Sequence, residues 1–79
     1  MNSKITIKEL RTLSGMSQAQ FAEFLNVPVR NIQNWETTNQ KYYRECKGYI
    51  IGLIEFKLTT LGIIDKVVLE DYKKSKTES

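Results

Sequence analysis

Gly15-Met16-Ser17-Gln18-Ala19-Gln20-Phe21-Ala22-Glu23-Phe24-Leu25-Asn26-Val27-Pro28-Val29-Arg30-Asn31-Ile32-Gln33-Asn34-Trp35-Glu36 reads as two short helices joined by a tight turn. Ser17 can accept the backbone N–H of Gln20, whose side chain can return the bond, and Met16 and Phe21 flank this capping box where a hydrophobic staple closes. The apolar run Ala19, Phe21, Ala22, Phe24, Leu25 then ends at Asn26, a residue that accepts positive φ. Pro28 follows, and its missing N–H would be unsatisfied at a helix entrance in any case. A helix from Val29 to Trp35 or Glu36 is expected, with Ile32 and Trp35 on one face and polar residues on the other.

Upstream, the same syntax appears once more. Thr6 and Glu9 form a second capping box, Ile5 and Leu10 a second staple, and the first helix should run from about Ile7 to Leu13 or Ser14 before Gly15 stops it. Downstream, Thr37 to Lys47 has two tyrosines and four charges without an apolar period, so a loop or irregular turn is expected. Tyr49 to Leu61 resumes a helical stripe at Ile50, Leu53, Ile54, Leu58 and Leu61, interrupted by Gly52. The segment from Ile63 to Tyr72 also carries a helical stripe, although its β-branched residues leave a strand open. No repeat, linker or low-complexity block divides the chain. The expectation is one domain over residues 1–72 with a polar, frayed tail at 73–79.

Composition limits the function. At 79 residues the chain closes one core, and 41% hydrophobic with 27% charged residues suits a globular fold. The mean hydropathy is -0.41. Its longest mostly apolar stretch, Gly48 to Ile54, falls far short of the roughly 20 residues of a membrane span. No apolar signal core follows Met1-Asn2-Ser3-Lys4, so a cytoplasmic protein is expected. One cysteine and no histidine leave no disulfide, no Cys- or His-rich metal site and no Cys–His nucleophile pair. Together with the lack of a glycine-rich phosphate loop, this argues against an enzyme, and neither metal nor cofactor is expected. Twelve basic against nine acidic residues give a net charge of +3. The basic excess lies in the first half of the chain, which favours a polyanionic partner.

A helix, a tight turn and a second helix is the arrangement that places the second helix in the DNA major groove. Once the seam of Leu25, Val27, Ile32 and Trp35 is buried, the free face of that helix shows Val29, Arg30, Gln33 and Asn34. Arginine can pair bidentately with guanine, asparagine and glutamine with adenine, and valine can meet a thymine methyl. Lys41, Tyr42 and Arg44, with Asn31, are candidates for holding phosphates. Phe21, Leu25 and Trp35 are read as core. Cys46 is read as inert, since no neighbour is available to activate it.

The matching residues Ile7-Lys8-Glu9-Leu10-Arg11, Gly15 to Pro28 and Ile32-Gln33-Asn34-Trp35-Glu36 make the chain resemble the lambda-repressor-like helix-turn-helix domains of the Cro and phage-repressor type, also called XRE-like. The resemblance implies an all-α, four- or five-helix bundle that binds double-stranded operator DNA as a homodimer in bacteria or their phages. It implies base contacts from Val29, Arg30 and Asn34, and a phosphate contact from Gln18. Asn26 stands where the family commonly has glycine, Pro28 replaces the usual Ser or Thr cap, and Thr37-Thr38-Asn39-Gln40 lacks the family's glycine. The apolar residues Ile63, Ile64, Val67, Val68 and Tyr72 are the candidate dimer surface, the alternative in a chain this short being that the stripe simply caps the core. The expected function is a sequence-specific, nucleoid-associated transcription regulator. The competing reading is an interaction module that uses the same scaffold to bind a protein partner, in an adaptor, toxin–antitoxin or phage system, without specific DNA readout.

Overall fold

The computed structural model describes residues 5–78, with side chains described through Ser75. The order is α1 (Ile7–Ser14), α2 (Gln18–Leu25), α3 (Val29–Glu36), α4 (Gly48–Thr60) and α5 (Lys66–Glu78), with no strand among the described residues. Both capping boxes form. The Glu9 N–H donates to Thr6 Oγ1 at 3.1 Å and the Thr6 N–H to Glu9 Oε1 at 2.8 Å. Ser17 and Gln20 exchange the same pair at 3.1 and 2.9 Å. Ile5, Leu10 and Phe21 are buried and Met16 packs against the core, so both staples stand at the core's edge.

Three helices stop alike. Gly15 (φ 76°), Asn26 (φ 60°) and Gly62 (φ 76°) are left-handed. After each of them the next N–H reaches back to a carbonyl five residues earlier: Met16 to Arg11, Val27 to Ala22 and Ile63 to Leu58. These paired closures satisfy carbonyls that a helix end leaves orphaned.

The core is built from Ile5, Ile7, Leu10, Phe21, Ala22, Ile32, Cys46, Ile54, Leu58, Ile64 and Leu69. α3 packs on α2 and α1, and α1 also meets α4. α5 closes the bundle through Leu69, through the Tyr72 hydroxyl donating to Glu9 Oε2 at 2.6 Å, and through a Lys73–Glu55 ion pair at 2.9 Å.

Three expectations are corrected. α4 turns Ile50, Ile51, Ile54 and Leu58 inward and leaves Leu53 exposed, because its apolar residues surround the axis and only one side meets the other described residues, while Leu61 is exposed just past the helix end. The helix at the carboxyl end starts at Lys66, after Asp65, whose side chain accepts the Val67 N–H at 2.8 Å. It also continues through Glu78, so residues 73–78 are helix and not a frayed tail, while Ser79 lies outside the described residues. Lys73 belongs to the packed structure because Glu55 holds it. Ile64 is only 4% exposed. It is therefore part of this chain's own core and cannot serve as a dimer surface.

Candidate nucleic-acid interface

The turn between α2 and α3 is short because Asn26 takes the left-handed conformation and Pro28, at φ −62° and ψ 143°, turns the chain straight into α3. Pro28 has no side chain to cap α3. The angle is held from inside: Ile32 is fully buried, and Leu25, Val27 and Trp35 pack against the core as the seam requires.

With Ile32, Trp35 and Glu36 turned inward, Val29, Arg30, Gln33 and Asn34 fall within about 140° of arc at 100° per residue, on the opposite side of α3. Val29, Arg30 and Gln33 are exposed, and Asn34 is half-buried at the edge. Asn31 is exposed too, but lies at the border of this face. The four base-reading candidates therefore share one uninterrupted polar surface with an apolar contact, Val29, at its start.

The far end of α3 is fixed by a polar cluster that sequence reasoning missed. Arg11 donates from Nε to Glu36 Oε2 at 2.7 Å and from Nη2 to Glu36 Oε1 at 3.0 Å. A third bond runs from Nη1 to the Met16 carbonyl at 3.1 Å. Gln18 Nε2 donates to Glu36 Oε1 at 3.1 Å. α1, α2 and the turn between them are thus joined to one carboxylate of α3. The Arg11 and Glu36 side chains are 18% and 5% exposed. Burial pushes the Glu36 carboxyl up, but the bonds from Arg11 and Gln18 and the Arg11 charge outweigh it, and the group sits below its ordinary value. The Glu36 bond raises Arg11 in turn. Arg11 is engaged in this pair, and Gln18 gives part of its amide to it. The partners lie 25 residues apart in sequence, a separation that no local period reports.

The segment between α3 and α4 is irregular, as expected, yet ordered by its own bonds. Asn39 Oδ1 accepts the Lys41 N–H at 3.0 Å, and the Asn39 carbonyl accepts those of Tyr42 and Tyr43. The Arg44 N–H donates to the Asn34 carbonyl at 3.0 Å. This last bond ties the segment to the end of the outward face of α3. Lys41, Tyr42 and Arg44 are exposed, with the Lys41 ammonium 5.6 Å from the Tyr42 ring centroid. Cys46 is buried, and burial pushes its thiol up to about 11.

Of the remaining dimer candidates, Ile63 is half-buried, Tyr72 is held by Glu9, and Val67 and Val68 are exposed on α5. No described helix is long and apolar enough to cross a membrane. Among the described residues no cluster of three or more His, Cys, Asp or Glu side chains could hold a metal ion.

A short buried seam, a left-handed turn and an outward polar helix define a helix-turn-helix. Residues 7–37, which run from the start of α1 to the first residue after α3, match the family model described as Helix-turn-helix, a model of the Cro/C1, XRE-like type. That family comprises DNA-binding regulatory domains and is not typically enzymatic. Neither a curated protein nor a solved structure matches the chain.

Proposed function

We propose that the protein is a sequence-specific transcription regulator that inserts α3 into the DNA major groove. The supporting observation is the single outward face of Val29, Arg30, Gln33 and Asn34, held at a set angle by the buried seam and by the Arg11–Glu36–Gln18 cluster. Arg30 would pair with guanine, Gln33 and Asn34 with adenine, and Val29 would meet a thymine methyl. Gln18, Asn31, Lys41, Tyr42 and Arg44 would hold phosphates and set the register. Two copies would read half-sites about one helical turn, some 34–36 Å, apart. The setting would be the cytoplasm and nucleoid of a bacterium, with the gene carried by the cell or by a phage.

Selection from random duplex DNA by the purified protein at near-physiological salt tests this reading. Enrichment of a motif that Arg30→Ala relaxes at one position is the expected result, with a loss of about 1–3 kcal/mol on the enriched site. A folded protein that enriches no motif overturns specific readout and returns the scaffold to the role of a protein-interaction module.

A further inference from the structure

α4 carries only two charged residues, Glu55 and Lys57, and apolar side chains surround its axis. A helix of that kind is ordinarily covered on all sides, yet the described residues cover one side only. Tyr49, Leu53 and Phe56 stand 71%, 65% and 69% exposed. Their spacing of four and then three residues sets them in one stripe along the helix. Gly52 lies in the same stripe. A mid-helix glycine weakens the helix relative to alanine, and nothing within this chain requires it, since a Cβ at Gly52 would meet no atom within 4 Å. Beside the stripe, Ile50, Leu53, Ile54 and Lys57 form one wall of a mostly apolar groove of about 200 Å³ whose other wall is Leu25, Val27 and Trp35.

We propose that this outer face of α4 is where two copies of the chain pair. The inference deepens the dimeric reading above and moves the interface from α5 to α4. Three features select a second copy as the occupant. Tyr49, Leu53 and Phe56 leave roughly 400 Å² of apolar side chain in water. A standard interface buries about 800 Å² per partner, and about two-thirds of a homodimer interface is apolar, so the stripe alone supplies most of that apolar area. Projecting rings and a groove lie side by side on one surface, so a two-fold axis can set each copy's rings opposite the other's groove, with Gly52 allowing close approach. The stripe itself bears no charge. The two charges of α4 are already engaged, Glu55 with Lys73 at 2.9 Å and Lys57 with the Phe24 carbonyl at 2.8 Å. Lys57 lines the groove, and Lys66 and Glu70 stand beside Gly52 and Phe56, so the charges around the stripe are of both signs and like surfaces meet without a single-sign field between them.

Sedimentation equilibrium of the full chain without DNA, from about 1 μM to about 1 mM, tests the pairing. The wild-type chain is expected to dimerise within this range. Phe56→Glu should weaken the dimer by about 100-fold or more while leaving the circular dichroism of the dilute chain unchanged, because Phe56 is 69% exposed. Gly52→Leu should weaken it by at least about tenfold even though leucine is the better helix former. Val67→Glu with Val68→Glu should leave it intact. A wild-type chain that stays monomeric to the highest concentration overturns the proposal and leaves the face to a different protein. A dimer that survives Phe56→Glu but disappears on changing Val67 and Val68 also overturns it and restores α5. Because no DNA is present, failure here is distinct from failure of the DNA selection.

Discussion

Glu36 accepts three hydrogen bonds from Arg11 and Gln18 with its side chain 5% exposed. Removing one partner of such a pair leaves the other charge poorly solvated. Because the Arg11 guanidinium still reaches water, Glu36→Ala is expected to cost about 2 kcal/mol in urea unfolding, below the range of a fully buried pair. The pH dependence has a definite sign. The folded carboxyl lies below its unfolded value, so its contribution is complete above the ordinary glutamate range and is lost as pH falls through the lowered folded value. Glu36→Gln should therefore flatten the decline of stability on the acid side of about pH 4.3. An unchanged acid limb would show that the pair contributes nothing to it. Asn26 is a simpler case. At φ 60° and ψ 44° it occupies the left-handed region, where glycine is unstrained and a β-branched residue is not. Asn26→Gly should be neutral or stabilising by under about 1 kcal/mol, and Asn26→Val should cost about 1–2 kcal/mol, both read from thermal melts. The left-handed turn was legible in the sequence because Asn26 interrupts an apolar run directly before Val27-Pro28. The Glu36 cluster was not, because its three members come from three helices and are polar residues that a one-dimensional reading assigns to solvent.

At the scale of elements, α1 to α3 were legible almost to the residue because each boundary has its own chemistry: two capping boxes, a glycine, an asparagine and a proline. α4 was legible as a helix but not in its orientation. Its stripe at Ile50, Leu53, Ile54, Leu58 and Leu61 and its second stripe at Tyr49, Leu53 and Phe56 are both apolar, and only tertiary packing decides which one turns inward. α5 was read short because polarity after Tyr72 suggested fraying, whereas the Lys73–Glu55 pair carries packing past that point. Gly52 gives the element its own prediction. Its Cβ position is open, so Gly52→Ala should raise the stability of the dilute chain by about 0.5–1 kcal/mol through helix propensity alone. A loss of stability in dilute solution would mean that α4 is packed more tightly at Gly52 than its open surroundings allow.

For the whole molecule, the proposed reading divides the work of binding DNA between two surfaces. The seam and the Glu36 cluster fix α3 in place, while Lys41, Tyr42 and Arg44 sit on a segment latched to it by the Arg44–Asn34 backbone bond. The outward face of α3 could be read from the sequence once Ile32 and Trp35 were assigned inward, but the latch could not, since it joins two backbone groups. The two surfaces should respond differently to salt. Lys41→Ala and Arg44→Ala each leave at most one phosphate without its cation, so affinity for every duplex should fall together. The slope of log K against log salt should then decrease by about 0.9 for each phosphate no longer neutralised. Arg30→Ala should leave that slope nearly unchanged if the guanidinium meets a base, and should reduce preference at a single position of the site. Titrations of each variant on one specific and one unrelated duplex at several salt concentrations separate the cases. An Arg30→Ala chain that loses affinity equally on both duplexes, with a slope reduced like that of Lys41→Ala, would place Arg30 on the phosphates and leave Gln33 and Asn34 as the only polar readers on α3.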